Sequence, residues 1–359
     1  MTSTIAPSLF PEPAAALSPE KEPACVVFAF SERDEDFFFR EKRGSLPADL
    51  LSISRWTCDE DLLDPERWKK LLKAWRPEIL VTCWSTAPLP LDWIANADCP
   101  LRYVCHLAGE VRKFVPRAFL ERGGRVTNWG TMAGREVAEH ALLLAMAALR
   151  KMPAWRRIPW TMHGPVPTAQ LRTRTLYGRR VGLHGFGNVA RALVELLKPF
   201  GVEICAFSGG VPDAFMQSHG VHPCGSLEEL FARSEVLFEC EALTPKTARS
   251  VNGRVLAALP DGAVFVNVGR GRVVDEPALL HEVRQGRIRA ALDVVSEEPV
   301  SEQSEVMRVP GLVVSPHIGG PTPDRFPLCG RFALQNLRNY FNGEPLEALV
   351  TLEIFDRST

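Results

Sequence analysis

Three residues of different chemistry, Arg270, Glu298 and His317, each stand at the end of an apolar run of strand-like composition. All lie downstream of a glycine-rich turn, Val181-Gly182-Leu183-His184-Gly185-Phe186-Gly187. A guanidinium can grip a carboxylate with two prongs, an imidazole can move a proton near neutral pH, and a carboxylate beside that imidazole can favour its protonated form. Appended to a dinucleotide turn, these are the parts that hydride transfer to a 2-oxo acid requires. Singly, each has a plain alternative: an ion pair for Arg270, a turn cap after Pro316 for His317, and solvent exposure for Glu298 beside Glu297 and Glu302.

The turn itself reads Gly185-Phe186-Gly187-Asn188-Val189-Ala190, matching G-x-G-x-x-G/A. Its first glycine permits the tight turn, the second admits a pyrophosphate close to the backbone, and Ala190 lets helix and strand pack closely. The amides of Asn188 and Val189, at a helix N-terminus, are placed to hold the diphosphate. About 20 residues on, an Asp or Glu ordinarily ends the second strand and binds the ribose hydroxyls of NAD. Here Phe207 is followed by Ser208-Gly209-Gly210, so the acid is missing, and the cofactor expectation is NAD or NADP with a slight lean to NADP.

The elements that must position these residues form an α/β alternation. Strands are expected at 180–184, 202–207, 235–239, 263–268, 288–293 and 312–315. Val189, Leu193, Leu196, Leu197 and Phe200 recur at helical spacing, Ser226-Leu227-Glu228-Glu229 is a capping box, and Asp275-Glu276-Pro277 starts a helix that runs to Gly286. Upstream, 25–30, 79–82 and 101–105 read as strands with a helix over 65–72. The length of 359 residues suits two lobes at roughly 150 residues per domain. Leu142, Leu143, Met146 and Leu149 form a helical stripe expected to link the lobes and to contribute to a subunit contact.

The segments Val266-Asn267-Val268-Gly269-Arg270-Gly271-Arg272-Val273-Val274-Asp275, Ala291-Leu292-Asp293-Val294-Val295-Ser296-Glu297-Glu298-Pro299 and Ser315-Pro316-His317-Ile318-Gly319-Gly320 resemble the signatures of D-isomer-specific 2-hydroxyacid dehydrogenases. With the glycine turn and Leu243-Thr244-Pro245-Lys246-Thr247, the likeness covers about residues 134–322. The resemblance implies a Rossmann-type doubly wound parallel sheet inserted into a smaller flavodoxin-like α/β substrate lobe. The expected division is a flexible arm over 1–24, a substrate lobe over 25–133, an NAD(P)-binding domain over 134–318 and a return to the substrate lobe over 319–359. It also implies that Arg270 binds the substrate carboxylate and 2-oxo group, that His317 donates the proton, and that Glu298 hydrogen-bonds His317 and favours its charged form. Asp293 and the backbone of Val268 and Gly269 would hold the nicotinamide carboxamide. Gly185, Gly187, Asn188, Val189, Ser208, Thr244 and Gly319 complete the cofactor set. A homodimer is implied as well.

Three stretches depart from that pattern. Glu239 and Glu241 flank Cys240, where relatives often carry histidine, and the plainer reading is that these acids face solvent or pair with a base. The usual glycine-rich substrate loop is replaced by His106-Leu107-Ala108-Gly109-Glu110-Val111-Arg112, in which the amides of Ala108 and Gly109 could grip a carboxylate and a plain turn also fits. Trp84-Ser85-Thr86 could line the same pocket. His219-x-x-His222-x-Cys224 has metal-like spacing but lacks a fourth ligand, so no metal is expected.

Forty-two Lys and Arg against forty-three Asp and Glu, without a basic block, argue against nucleic acid as a partner. No apolar run reaches the roughly 20 residues a bilayer span needs. Nine cysteines without a C-x-x-C pair suggest reduced, cytoplasmic thiols. Two rivals share the scaffold: a dinucleotide-sensing, corepressor-like binding module, and a formate-type dehydrogenase, whose relatives lack the acid found at Glu298.

Overall fold

The computed structural model describes residues 26–39, 54–57, 64–158 and 171–357, together with 59, 62 and 169. The arm expected over 1–24, and Cys25, lie outside the described residues.

Two wholly parallel sheets organise the chain. The first has the strands β1 (Val26–Ala29), β2 (Ser54–Trp56), β3 (Ile79–Thr82), β4 (Tyr103–His106) and β5 (Arg125–Thr127), in the order β2-β1-β3-β4-β5. This is the flavodoxin-like order. The second has β6 (Arg180–His184), β7 (Glu203–Phe207), β8 (His222–Pro223), β9 (Val236–Glu239), β10 (Val264–Asn267), β11 (Arg289–Leu292) and β12 (Val313–Val314), in the order β12-β11-β10-β9-β6-β7-β8. The order reverses between β6 and β9, which is where doubly wound sheets bind ligands, beyond the carboxyl ends of the strands. Parallel strands are covered on both faces, which is why β1, β3, β9 and β10 are buried at every position.

Helix starts follow local chemistry. Gly187 is the N-cap of the Asn188–Leu197 helix. Ser226 Oγ accepts the Glu229 amide, Asn252 Oδ1 accepts the amides of Arg254 and Val255, and Asp275 accepts the Ala278 amide with Pro277 in the first turn. The carboxylate of Glu229 reaches back to the Gly225 amide (2.9 Å), one residue beyond the reciprocal partner of a simple capping box.

The Gly134–Leu149 helix divides its faces by side-chain size. Its buried face is alanine-rich, with Ala138, Ala141, Leu144, Ala145 and Ala148, while Leu143 is 58% exposed and Leu142 and Met146 are only partly covered. Small side chains admit the Asn188–Leu197 helix closely: a Cβ on Gly134 would stand 3.2 Å from Asn188 Cβ. After β12 the chain returns to the first sheet. The Phe326–Asn342 helix crosses the Glu32–Phe38 helix where Gly330 leaves room for the Phe38 carbonyl (2.2 Å from a Cβ placed there), and the Val350 amide donates to Val126 O at 2.7 Å.

Candidate active site

The carboxyl ends of β10, β11 and β12 release three short segments that interlock. The first holds Arg270. Asn267, the buried last residue of β10, accepts the Gly269 amide (3.0 Å) and donates to Arg270 O (3.3 Å), so one side chain fixes the bend that presents the arginine. The Arg270 backbone is extended, φ −143° and ψ 139°, and its side chain is half-buried. A Cβ on Gly271 would stand 1.9 Å from the Val295 carbonyl carbon, so the Arg270 segment lies directly on the one leading to Glu298. Gly271→Ala must move that backbone, and we expect a loss of about 3 kcal/mol in a urea melt together with weakened turnover.

The second segment holds Asp293 and Glu298. Asp293 is 4% exposed yet carries four polar neighbours: Ser315 Oγ at 2.7 Å, the Ile318 and Gly319 amides at 2.9 Å each, and His140 Nε2 at 3.3 Å. His140 Nε2 also lies 2.8 Å from Ser315 Oγ. Burial opposes the charge on Asp293, but His140, Ser315 and the two amides outweigh it and bring the carboxyl down to about 2. Because that lies below the ordinary 3.8, the stabilisation is complete above about pH 4 and is lost as pH falls through about 2. Asp293→Asn should therefore cost about 2 kcal/mol at neutral pH, with the deficit shrinking toward pH 2 in denaturant melts.

The third segment holds His317. Its Nδ1 lies 2.6 Å from Glu298 Oε2, and Glu298 Oε1 accepts the Val295 amide at 3.1 Å, which fixes the carboxylate. The His317 backbone is left-handed, φ 53°, an uncommon conformation for a residue with a Cβ. It is held there by its amide, which donates to Asp293 O (2.9 Å) and Ser315 O (3.0 Å). The ring is about half exposed, so Nε2 faces away from Glu298 at an accessible edge.

The glycine turn lies beside this group at the sheet's reversal point. Gly185 has φ 88°, and a Cβ there would stand 2.7 Å from the Glu241 amide. Nothing lies within 4 Å of a Cβ on Gly187, so the helix N-terminus at Asn188 and Val189 opens onto free space that suits a diphosphate. Thr244 is tied to Thr247 Oγ1 through its amide (2.7 Å) and its own hydroxyl (3.0 Å). Gly319 packs against Asp293 and His140, and Val268 is buried.

Of the two acids beside Cys240, Glu239 pairs with a base. Its Oε2 lies 2.5 Å from His184 Nδ1, both residues being buried. Burial alone would push His184 down, but the Glu239 carboxylate outweighs it and holds the imidazole above its ordinary value. Glu241 meets Ser208, whose Oγ donates to Glu241 Oε2 at 3.1 Å. The lean to NADP assumed no carboxylate near Ser208, and that premise fails.

In the first sheet, Ala108 is fully buried and Gly109 is half-buried against Trp129, whose Nε1 would stand 2.5 Å from a Cβ on Gly109. Close packing therefore accounts for that glycine. Trp84 is 40% exposed and touches Phe38, Trp129 and Phe326 edgewise or tilted. His219 is engaged by Phe215 O at 2.8 Å, and among the described residues no three His, Cys, Asp or Glu converge as a metal cage would require. Among the same residues, no helix is long and apolar enough to cross a membrane. Local sequence did not reveal His140, Ser315 and Asn267 as members of the site. Asn267 alone carried a signal, being the polar end of an apolar strand.

Comparison with known proteins agrees with this architecture. The model of the D-isomer specific 2-hydroxyacid dehydrogenase NAD binding domain matches residues 142–319. The chain is 31% identical over 228 residues to hydroxyphenylpyruvate reductase of Plectranthus scutellarioides, covering 63% of this chain and 71% of that protein. It is 28% identical over 236 residues to D-3-phosphoglycerate dehydrogenase of Methanocaldococcus jannaschii, covering 66% of this chain but 44% of that longer protein. Its fold resembles that of Rhodotorula graminis D-mandelate dehydrogenase, with a TM-score of 0.77 at 21% identity over 91% of this chain and 98% of that one. A parallel sheet reversed at a glycine turn, an imidazole paired with a carboxylate, and these matches together place the chain in the D-isomer-specific 2-hydroxyacid dehydrogenase family.

Proposed function

We propose that this protein is an NAD(P)-dependent oxidoreductase that interconverts a small 2-oxo acid and a D-2-hydroxy acid. The observation that carries the reading is the His317–Glu298 pair, 2.6 Å apart, on a loop anchored by Asp293. A nicotinamide dinucleotide bound along the Gly185–Val189 turn supplies or accepts the hydride. Val268, Gly269 and Asp293 would hold its carboxamide.

The chain's residues do the rest. Arg270 grips the substrate carboxylate and 2-oxo group with its planar fork, which orients the carbonyl. His317 Nδ1–H donates to Glu298 Oε2, so Nε2–H is directed at the substrate and gives its proton to the carbonyl oxygen as negative charge develops there. In the oxidation direction Nε2 takes the hydroxyl proton and Glu298 stabilises the imidazolium. The amides of Ala108 and Gly109 form the opposing wall, and closure of residues 25–133 with 319–359 over 134–318 excludes water. A homodimer to which Leu143 contributes, and a cytoplasmic setting for the free thiols, belong to the same reading.

The test is oxidation of NADH and NADPH against glyoxylate, hydroxypyruvate, pyruvate, phenylpyruvate and longer 2-oxo acids. Turnover with at least one, giving the D-hydroxy acid, supports the reading. Tight cofactor binding with no turnover on any of them favours a binding module instead.

A further inference from the structure

The proposed dinucleotide site has a gap at the end of β7, where Ser208 stands in place of an acid. The sheet order closes it. Strands β7 and β9 flank β6 on opposite sides, so the residues just beyond β9 lie next to those just beyond β7, with only the glycine turn between them. Gly185 lacks a Cβ, which would press on the Glu241 amide at 2.7 Å, so the two segments approach each other across it.

Glu241 is held in that position from several sides. Its amide donates to Glu239 Oε1 at 2.9 Å, and Glu239 is itself fixed by His184 at 2.5 Å. Its carbonyl oxygen would stand 2.9 Å from a Cβ on Gly269, so only glycine fits there. Its own Oε1 accepts the Ala242 amide at 3.0 Å, and its Oε2 accepts Ser208 Oγ at 3.1 Å. The buried His184–Glu239 pair is thus the base on which the Glu241 carboxylate is aimed at the second strand's end.

We infer that Glu241 selects the dinucleotide lacking a 2′-phosphate, its carboxylate reaching the Ser208 position from the neighbouring strand and standing in for the missing acid. This rests on the dinucleotide reading of the glycine turn. A carboxylate there accepts hydrogen bonds from ribose hydroxyls and repels a phosphate dianion, as an acid at the end of β7 would. One residue opposes it: Arg357 Nη2 donates to Gly209 O at 3.2 Å, bringing a cation to the same loop. Its other terminal nitrogen is paired with Glu353 at 3.2 Å, which offsets that charge, whereas Glu241 contacts Ser208 directly.

Dissociation constants for NADH and NADPH, measured by fluorescence titration on the full chain, Glu241→Gln, Glu241→Asp and Arg357→Ala, test the inference. The parent should bind NADH at least about tenfold more tightly than NADPH. Glu241→Gln should narrow that ratio to within about threefold, chiefly by tightening NADPH, while Glu241→Asp and Arg357→Ala keep it. A parent that binds NADPH as well as NADH, or a Glu241→Gln variant that folds and keeps the full ratio, overturns the inference and leaves the dinucleotide site standing. Folded protein that binds neither dinucleotide overturns the site itself, and the inference with it.

Discussion

Replacing His317 by alanine should lower kcat by about 10²–10⁴-fold while NADH affinity stays within about twofold. In the proposed reaction the imidazole touches the carbonyl oxygen and not the dinucleotide, so its loss falls on the chemical step. The backbone should survive, because the left-handed turn at His317 is held by main-chain bonds to Asp293 O and Ser315 O, and because removing a half-exposed ring empties no core. Glu298→Gln supplies the control. It keeps the shape and a hydrogen-bonding partner for Nδ1 but removes the charge, so it should lose less than His317→Ala. Single-turnover measurements that separate chemistry from cofactor binding check both.

Arg270→Lys should cost about 10²–10³-fold in kcat/KM, and Arg270→Gln more, with most of the loss shared between substrate binding and the transition state. The charge survives in lysine but the two-pronged geometry does not, and a charge-assisted hydrogen bond contributes on the order of 1.5–3 kcal/mol. The extended backbone at Arg270 is set by Asn267 and by the contact of Gly271 with Val295, so the substitution leaves the scaffold intact. Kinetics on the best 2-oxo acid, with thermal unfolding as a check on folding, measure the effect. Unchanged kcat/KM in Arg270→Gln would remove the arginine from the site.

Much of the fold was legible because it is encoded locally. The strand expected at 180–184 coincides with β6, the five other strands expected in its sheet differ by one residue at one or both ends, and the two-residue β8 was not expected. The starts at Gly187, Ser226 and Asp275 were readable because an N-cap is a contact over two or three residues. The three-residue strands β2 and β5 carry too little alternation to stand out, since sheet neighbours rather than their own pattern hold them. The Glu32–Phe38 helix was also passed over, although Ser31 Oγ accepting the Asp34 amide is a cap its sequence could have disclosed. On the Gly134–Leu149 helix the alanine-rich face covered by the neighbouring helix was not singled out, because small side chains add little to a hydrophobic pattern.

The candidate site divides along the same line. Arg270, Glu298 and His317 were visible because each ends an apolar run, where parallel sheets present their chemistry. The contacts that orient them were not. His140 meets Asp293 and Ser315 from a helix far upstream, and Glu241 reaches Ser208 only because β6 separates their strands by one position. The lean to NADP considered only the end of β7 and not the strand order that brings Glu241 beside it.

The most direct test of hydride transfer with proton donation by His317 uses reduced cofactor deuterated, in separate batches, on each face of its transferring carbon. The product formed from the best 2-oxo acid is then examined by NMR. Deuterium at the carbinol carbon of the D-hydroxy acid, from one batch and not the other, with transfer suppressed in His317→Ala, is the predicted result. An L product, deuterium retained in the oxidised cofactor from both batches, or undiminished transfer in His317→Ala would contradict the account.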